Sequence, residues 1–407
     1  MQNKSSRLNA DEKRILLVTC YGHFLSHFNM LVFPAILIPL SLQLDMEMVE
    51  ALSLSFWMYL LFGVSALPWG LLADKLSART LLTTFYGGAG ICALMAMVFM
   101  DTPVQFSLAL AGMGLFSGIY HPVGLGWIAR DIKNTSIGMA YNGMFGNLGL
   151  AVAPLAAGLI NLLYGLSAVY LVVGILNLLG IVFLLRTPKN NVKKKIVAKI
   201  GTQKATTIVP FLILLVAMML GGIVYRGTSV TLPAYFQLSN GDLAAVVVEL
   251  FGGIGTDNVF ATILTSAIYL LGMVGQFCGG KVGERYDLRR GYLLFHLITI
   301  PAAIGMALTA NIPLIVMAMV HSFFLLGMQP IENTLVSRLA PERLMSSAFG
   351  LKFILTFGVG AMSIKGIELI KTLWGFSAIY LVLAGVTTCL VGCIFVLTLK
   401  TGPLKNT

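Results

Sequence analysis

The chain has 407 residues, 57% hydrophobic and only 11% charged, where an average soluble domain is about half apolar and about a quarter charged. That composition excludes an ordinary soluble enzyme. It supplies about twelve bilayer-crossing helices of ~20 residues and leaves no room for a separate catalytic domain. The net charge of +11 comes from 27 Lys and Arg against 16 Asp and Glu, but the basic residues sit at helix ends and form no stripe, which argues against nucleic acid as a partner.

The polar segment from Met1 to Arg14 runs straight into an apolar stretch with no small-residue cleavage site, so the first span reads as a membrane helix and not a leader. Apolar runs between charge clusters then predict spans at 15–42, 49–73, 81–100, 103–129, 137–163, 165–186, 208–237, 259–280, 291–309, 312–338, 346–370 and 375–400. The expected fold class is an all-α membrane protein of twelve helices in two six-helix bundles. Twenty-three of the 27 Lys and Arg fall on the side that carries both termini, and only Arg226, Lys352, Lys365 and Lys371 lie elsewhere. The opposite loops carry Asp45, Glu47, Glu50, Asp101, Asp242, Glu249 and Asp257. The positive-inside rule therefore predicts cytoplasmic termini, and the compact chain suggests a bacterial inner (plasma) membrane.

One long connection, 187–207, holds Lys189, Lys193, Lys194, Lys195, Lys199 and Lys204. It separates an N-terminal bundle, 1–186, from a C-terminal bundle, 208–407, and its basic run orients the chain and can meet anionic membrane lipid. The outer loop 238–258 gives no readable pattern. Cys20, Cys92, Cys278, Cys389 and Cys393 all lie in apolar stretches without disulfide or zinc-finger spacing, and read as packing residues.

The halves repeat. Gly165-Leu-Ser-Ala-Val-Tyr170 recurs as Gly375-Phe-Ser-Ala-Ile-Tyr380, an offset of 210, and Gly70-Leu-Leu-Ala-Asp74-Lys75 recurs at the same offset as Gly280-Lys-Val-Gly-Glu284-Arg285. Pro122 pairs with Pro330 and Arg130 with Arg338 at offset 208, and Pro34-Ala35 with Pro233-Ala234 at offset 199. Duplicated six-helix halves are a transporter signature.

Gly70-Leu-Leu-Ala-Asp74-Lys75-Leu-Ser-Ala-Arg79 fits G-x-x-x-D-[RK]-x-x-x-[RK] between spans two and three. With its second copy, Gly280, Glu284, Arg285 and the pair Arg289-Arg290, the chain resembles the major facilitator superfamily over essentially its whole length. Ser77 stands where that pattern has glycine. The resemblance implies a charge latch in which Asp74, beside helix ends and basic groups, holds one gate shut; Gly70, Asp74, Lys75, Arg79, Gly280, Glu284, Arg285 and Arg289 are the expected gating residues.

Gly146-Asn-Leu-Gly149 with Pro154 and Gly158 is similar to the glycine-proline motif of facilitator antiporters, and equally serves close helix packing. Gly22-His23-Phe-Leu-Ser26-His27-Phe-Asn29 with Phe33-Pro34-Ala35, and Tyr120-His121-Pro122, resemble the fosmidomycin-resistance and drug-efflux branch, which has an acid where this chain has His27. Gly275-Gln-Phe-Cys-Gly-Gly280-Lys281 imitates a phosphate loop but lacks the Ser/Thr and a preceding strand.

Ionisable residues inside spans are costly and face a cavity or each other. They are His23 and His27 (span one), His121 (four), Arg226 (seven), His296 (nine), His321 and Glu332 (ten), and Lys352 and Lys365 (eleven). By the resemblance, spans one, four, seven and ten line the central cavity, leaving His296 and Lys365 peripheral. His23 and His27, one turn apart, share a helix face. Each titrates near neutrality as a free side chain and is equally able to serve as a core residue. A transition metal on that pair lacks a third close ligand in sequence and an H-E-x-x-H motif, so no metal and no cofactor is assigned.

Arg226 either anchors an anionic group of the substrate or pairs with Glu332. Glu332, the sole acid within a cavity-lining span, is the candidate proton carrier together with His27, or else forms a static pair with Lys352. Asn29, Tyr120, Tyr225, Gln329 and Asn333 flank these charges as candidate substrate hydrogen-bonders. The reading is a monomeric, non-enzymatic secondary transporter. Its partners are a small-molecule solute, with a tilt toward anions, and protons, and it exports the solute by alternating access. The alternatives are proton-coupled import or facilitation of an anionic metabolite, and a non-transporting membrane receptor.

Overall fold

A computed structural model of the chain describes residues 8–73, 75–187, 208–250, 255–340 and 345–404, and among these it is helical with no strand. Among the described residues, twelve helices are long and apolar enough to cross a membrane: Ala10–Ala35, Met48–Leu72, Ala78–Val98, Pro103–Asp131, Ile137–Tyr164, Leu166–Leu185, Ile208–Ser239, Asp257–Arg285, Leu288–Leu308, Asn311–Leu339, Gly350–Trp374 and Ala378–Lys400. They are spans one to twelve below. Eleven follow the expected runs within a few residues. Span one begins earlier, at Ala10, because Asn9 and Glu12 form a capping box: the Asn9 backbone N–H donates to Glu12 Oε2 (2.9 Å) and the Glu12 N–H to Asn9 Oδ1 (2.9 Å). Hydropathy marks the lipid-crossing stretch, whereas the cap fixes where the helix starts. The same span stops at Ala35, and a short helix, Leu37–Gln43, follows. The unreadable outer loop contains a further helix, Gly241–Leu250.

The offset of 210 in the sequence is also an offset in structure. Spans five and eleven both end on a glycine of positive φ, Gly165 (+81°) and Gly375 (+86°), whose N–H groups cap Asn161 O and Lys371 O. Ser77 N-caps span three and Asp287, 210 residues on, N-caps span nine. The serine that departs from the family pattern is therefore a helix cap. Arg79 Nη1 donates to Thr187 O at the end of span six (3.2 Å). Its counterpart Arg289 donates to Thr398 O (3.1 Å) and to both oxygens of Thr401 at the end of span twelve. A cation at a helix C-terminus meets the exposed carbonyls and the negative end of the helix dipole.

Spans four and ten are interrupted at corresponding places, splitting into Pro103–Ser117 and Tyr120–Asp131, and into Asn311–Gly327 and Gln329–Leu339. Span eleven changes its winding: an α-helix over Met345–Phe353 gives way to a π-helical turn, Ile354–Gly358, a tight turn, Val359–Met362, and α-helix again over Ser363–Trp374. The first six spans and the last six each pack mainly among themselves. They also touch one another at three levels. Away from the termini, Lys371 Nζ pairs with Glu47 Oε2 (3.1 Å) and Asn258 Nδ2 donates to Ala35 O (2.9 Å). Midway, Gly63 meets Gly358 backbone to backbone, and the Leu155 N–H donates to Ser266 Oγ (2.9 Å). Nearer the termini, Met345–Phe353 packs on the last segment of span two. Asp74 and the lysines of 188–207 lie outside the described residues.

Candidate functional site

Span one sets His23 and His27 on one face, and the break in span four puts His121 in the first turn of the Tyr120–Asp131 segment. The three rings converge, with centroids 4.9, 5.2 and 5.2 Å apart. His23 Nδ1 lies 2.8 Å from Asn142 O. A carbonyl only accepts, so Nδ1 carries the proton and Nε2 keeps its lone pair. That Nε2 is 3.2 Å from His27 Nε2. Tyr120 stacks on His23 (5.1 Å, 21°) while its hydroxyl accepts from Asn142 Nδ2 (2.7 Å). Asn142, from span five, thus orients two site residues at once. Sequence reading missed it, because a lone Asn in a small-residue helix carries no pattern.

Across the contact between halves, span eleven presents Phe353 and Phe357 to His121 (4.9 and 6.2 Å). Arg226 stands beside them, 2% exposed. Its Cζ lies 3.9 Å above the Tyr59 ring and 6.0 Å from the Tyr225 and Phe357 rings. Tyr59 comes from span two, on which the sequence placed no substrate-binding or proton-coupling residue. Arg226 does not pair with Glu332, which already has a cation, and its Nε has no hydrogen-bond partner among the described residues.

Glu332 belongs to a second polar centre, 3% exposed, in the second half. The break in span ten puts it in the first turn of Gln329–Leu339, as the break in span four does for His121. Lys352 Nζ lies 2.6 Å from Glu332 Oε1, and the Tyr292 hydroxyl donates to Oε2 (2.7 Å). Glu332 and Lys352 are thus ion-paired, and Lys352 also donates to Asn333 Oδ1. His296, expected to be peripheral, is buried at 1% exposure. It packs on Tyr292 (4.8 Å) within electrostatic reach of Glu332, and neither ring nitrogen has a partner among the described residues. His321 sits between Thr228 Oγ1 (3.2 Å) and Thr299 O (3.4 Å).

The remaining candidates divide. Gln329 accepts from Gln276 Nε2 (2.9 Å), whose own oxygen accepts from Asn147 Nδ2 (2.6 Å), a relay joining spans five, eight and ten across the halves. Asn29 is fully buried between Ser117 Oγ (3.1 Å) and Asn177 (3.1 and 2.9 Å), a clamp within the first half and not part of the central cluster. Lys365 is exposed beside Glu368 (3.5 Å). Of the gating residues, Lys75, Glu284 and Arg285 are exposed and Gly70 approaches Pro122. Arg289 is buried against Asp287 (Nη2 to Oδ2, 2.8 Å), so its partners lie in its own half. Burial alone would raise the Asp287 carboxyl. The side chain of Arg289, the N–H groups of Leu404 and Arg290, and the Arg289 charge outweigh it and hold the group below the usual carboxylate range.

Twelve such helices in two repeated halves around a central polar cluster are the architecture of a membrane transporter. A profile of the Major Facilitator Superfamily matches residues 19–363, and the chain belongs to that family, whose members here are transporters and not enzymes. Solved structures agree on the fold. A POT family transporter in complex with 5-aminolevulinic acid is 18% identical at a TM-score of 0.74, with 95% of this chain and 96% of that chain covered. A bacterial homolog of the human lysosomal transporter Spinster, inward-facing and occupied, is 13% identical at 0.67, covering 97% and 96%. A mutant of the nucleoside transporter NupG is 14% identical at 0.70, covering 94% and 100%. No curated protein sequence matches. The protein is an integral membrane transporter.

Proposed function

We propose that the protein is a proton-coupled secondary transporter that exports a small organic anion, working as a monomer in a bacterial inner membrane with both termini cytoplasmic. The halves 1–186 and 208–407 rock about the central cluster, and the motifs around His23, His27 and His121 favour the fosmidomycin-resistance and drug-efflux branch. One observation carries this reading: span eleven joins the two polar centres. Lys352 holds Glu332, and the next residue, Phe353, lies on His121. A π-helical turn follows immediately, a feature frequent at functional sites.

Arg226 supplies the anion preference. Burying a lone cation costs several kcal/mol, and a desolvated cation–π contact returns about 2 kcal/mol. The guanidinium therefore gains most from a carboxylate or phosphate reaching its unmet Nε. Glu332 supplies the proton step. Protonating it removes the charge that fixes Lys352, and releases span eleven from the second half's core. Lys352, Tyr292 and His296 are the groups that surround the carboxyl where this happens.

The test is transport in proteoliposomes, with organic anions and amphipathic drugs screened against an imposed pH gradient. Wild type should move a solute together with protons, Glu332→Gln should uncouple the two, and Arg226→Ala should abolish anion flux. The sign of the proton movement distinguishes export from import. Solute flux in wild type that ignores the gradient would overturn the coupling assignment.

A further inference from the structure

We propose that His23, His27 and His121 form a site for a divalent transition metal ion of the zinc and cobalt class, bridging spans one and four. The sequence offered only the pair on span one; the fold brings the third ring from 94 residues away. One nitrogen from each ring lies within 4.8 Å of the others. Two tetrahedral Zn–N bonds of ~2.0–2.1 Å place their nitrogens about 3.3 Å apart, and His23 Nε2 and His27 Nε2 are 3.2 Å apart. Without metal the two nitrogens share a hydrogen bond at this distance, and a bound ion would displace its proton at a separation that matches the edge of a zinc tetrahedron.

The tautomer suits a ligand. His23 Nδ1–H is held by Asn142 O, the backbone-carbonyl partner that metal-binding histidines use to fix the ring and aim the other nitrogen. His121, between Phe62 and Phe353, makes ring contacts but no hydrogen bond among the described residues, so its nitrogens are not engaged elsewhere. Span five contributes by omission. A Cβ at Gly146 would stand 2.6 Å from His23 Nε2, so the ring keeps this position only while residue 146 is glycine. That gives the first glycine of the Gly146-Asn-Leu-Gly149 motif a local purpose beyond packing.

Three histidines with a non-protein fourth ligand are a recurrent zinc arrangement, and imidazole ligands suit zinc, cobalt, nickel and copper alike. The buried Arg226 charge acts on His27 and favours an anionic fourth ligand such as chloride, carboxylate or hydroxide. The site shares residues with the transport reading but does not rest on it, because binding is read on purified protein without any flux.

The experiment uses the full chain in nanodiscs, purified by a tag without histidine and titrated with Co²⁺. Wild type should bind one Co²⁺ per chain and show the intense visible bands of tetrahedral cobalt, which Zn²⁺ then bleaches. Losing a ligand's orienting partner costs roughly 10–100-fold in affinity, so His27→Ala and His121→Ala, each losing a ligand itself, should weaken binding by at least that much. His321→Ala, which removes a buried histidine elsewhere, should bind as wild type does. His121→Cys should retain the ion with a new thiolate charge-transfer band, a result that an unfolded variant cannot give. Wild type without tetrahedral cobalt, equal binding in His121→Ala, or an unchanged spectrum in His121→Cys would each overturn the site, and none would bear on proton-coupled flux.

Discussion

In the first half, the break in span four sets His121 against His23 and His27; in the second, the matching break in span ten sets Glu332 against Lys352 and Tyr292. The scaffold around these centres is shared down to its caps and its glycines, yet one centre is built of imidazoles and the other of an ion pair. Duplication thus kept what folding needs and released what chemistry needs. The terminal-side anchors repeat in role and not in strength: Arg79 makes one bond to the end of span six, while Arg289 makes several to span twelve and pairs with Asp287.

The largest expected effect separates the two centres. Lys352→Met strands Glu332 in the core and should cost about 3–5 kcal/mol in equilibrium unfolding in mixed micelles. The double variant Glu332→Gln, Lys352→Met should recover most of that loss. His121→Leu in the first half removes no charge and should cost less than Lys352→Met; an equal or larger cost would erase the distinction between a charged and a neutral centre.

Next come the anchors. Arg289→Ala should destabilise by about 1.5–3 kcal/mol, the range for hydrogen bonds to charged groups, and Arg79→Ala by about 1 kcal/mol. The reverse order would show that the anchors are not related as the geometry says. Acid titration sharpens the same contrast. Asp287 has a folded pKa below its unfolded one, so its contribution is present above the usual carboxylate range and is lost as pH falls through the folded value. Wild type should therefore lose stability on acidification below about pH 4 more steeply than Asp287→Asn does.

The smallest effects test what the halves share. Gly165 and Gly375 have φ near +80° and ψ near 170°, a region that side chains avoid. Gly165→Ala and Gly375→Ala should each cost about 1–3 kcal/mol and by similar amounts. A cost in one alone would show that only one half depends on its turn.

The twelve spans, the duplication and the family resemblance were legible in the sequence because hydropathy and motif spacing are local and summed along the chain. The Glu332–Lys352 pair was within its reach as an alternative, from depth along neighbouring spans, whereas Ser77 was read only as a departure from the family pattern. The partner of Arg226 was not. Tyr59 is an unremarked aromatic in an apolar run, and only the meeting of the two halves brings its ring to 3.9 Å from the guanidinium. Asn142, Gln276 and Tyr292 escaped for the same reason, since a single polar residue in a span reads alike whether it binds helix or solute.

By itself the sequence determined how many times the chain crosses the bilayer and that it does so as two copies of one plan, because burying apolar side chains in lipid depends on composition over ~20 residues. The tertiary structure alone decided which charges meet, that His121 completes a triad with His23 and His27, and that span eleven links that triad to Glu332. Those outcomes depend on separations of a few ångströms between residues far apart in the chain, and no local pattern encodes them.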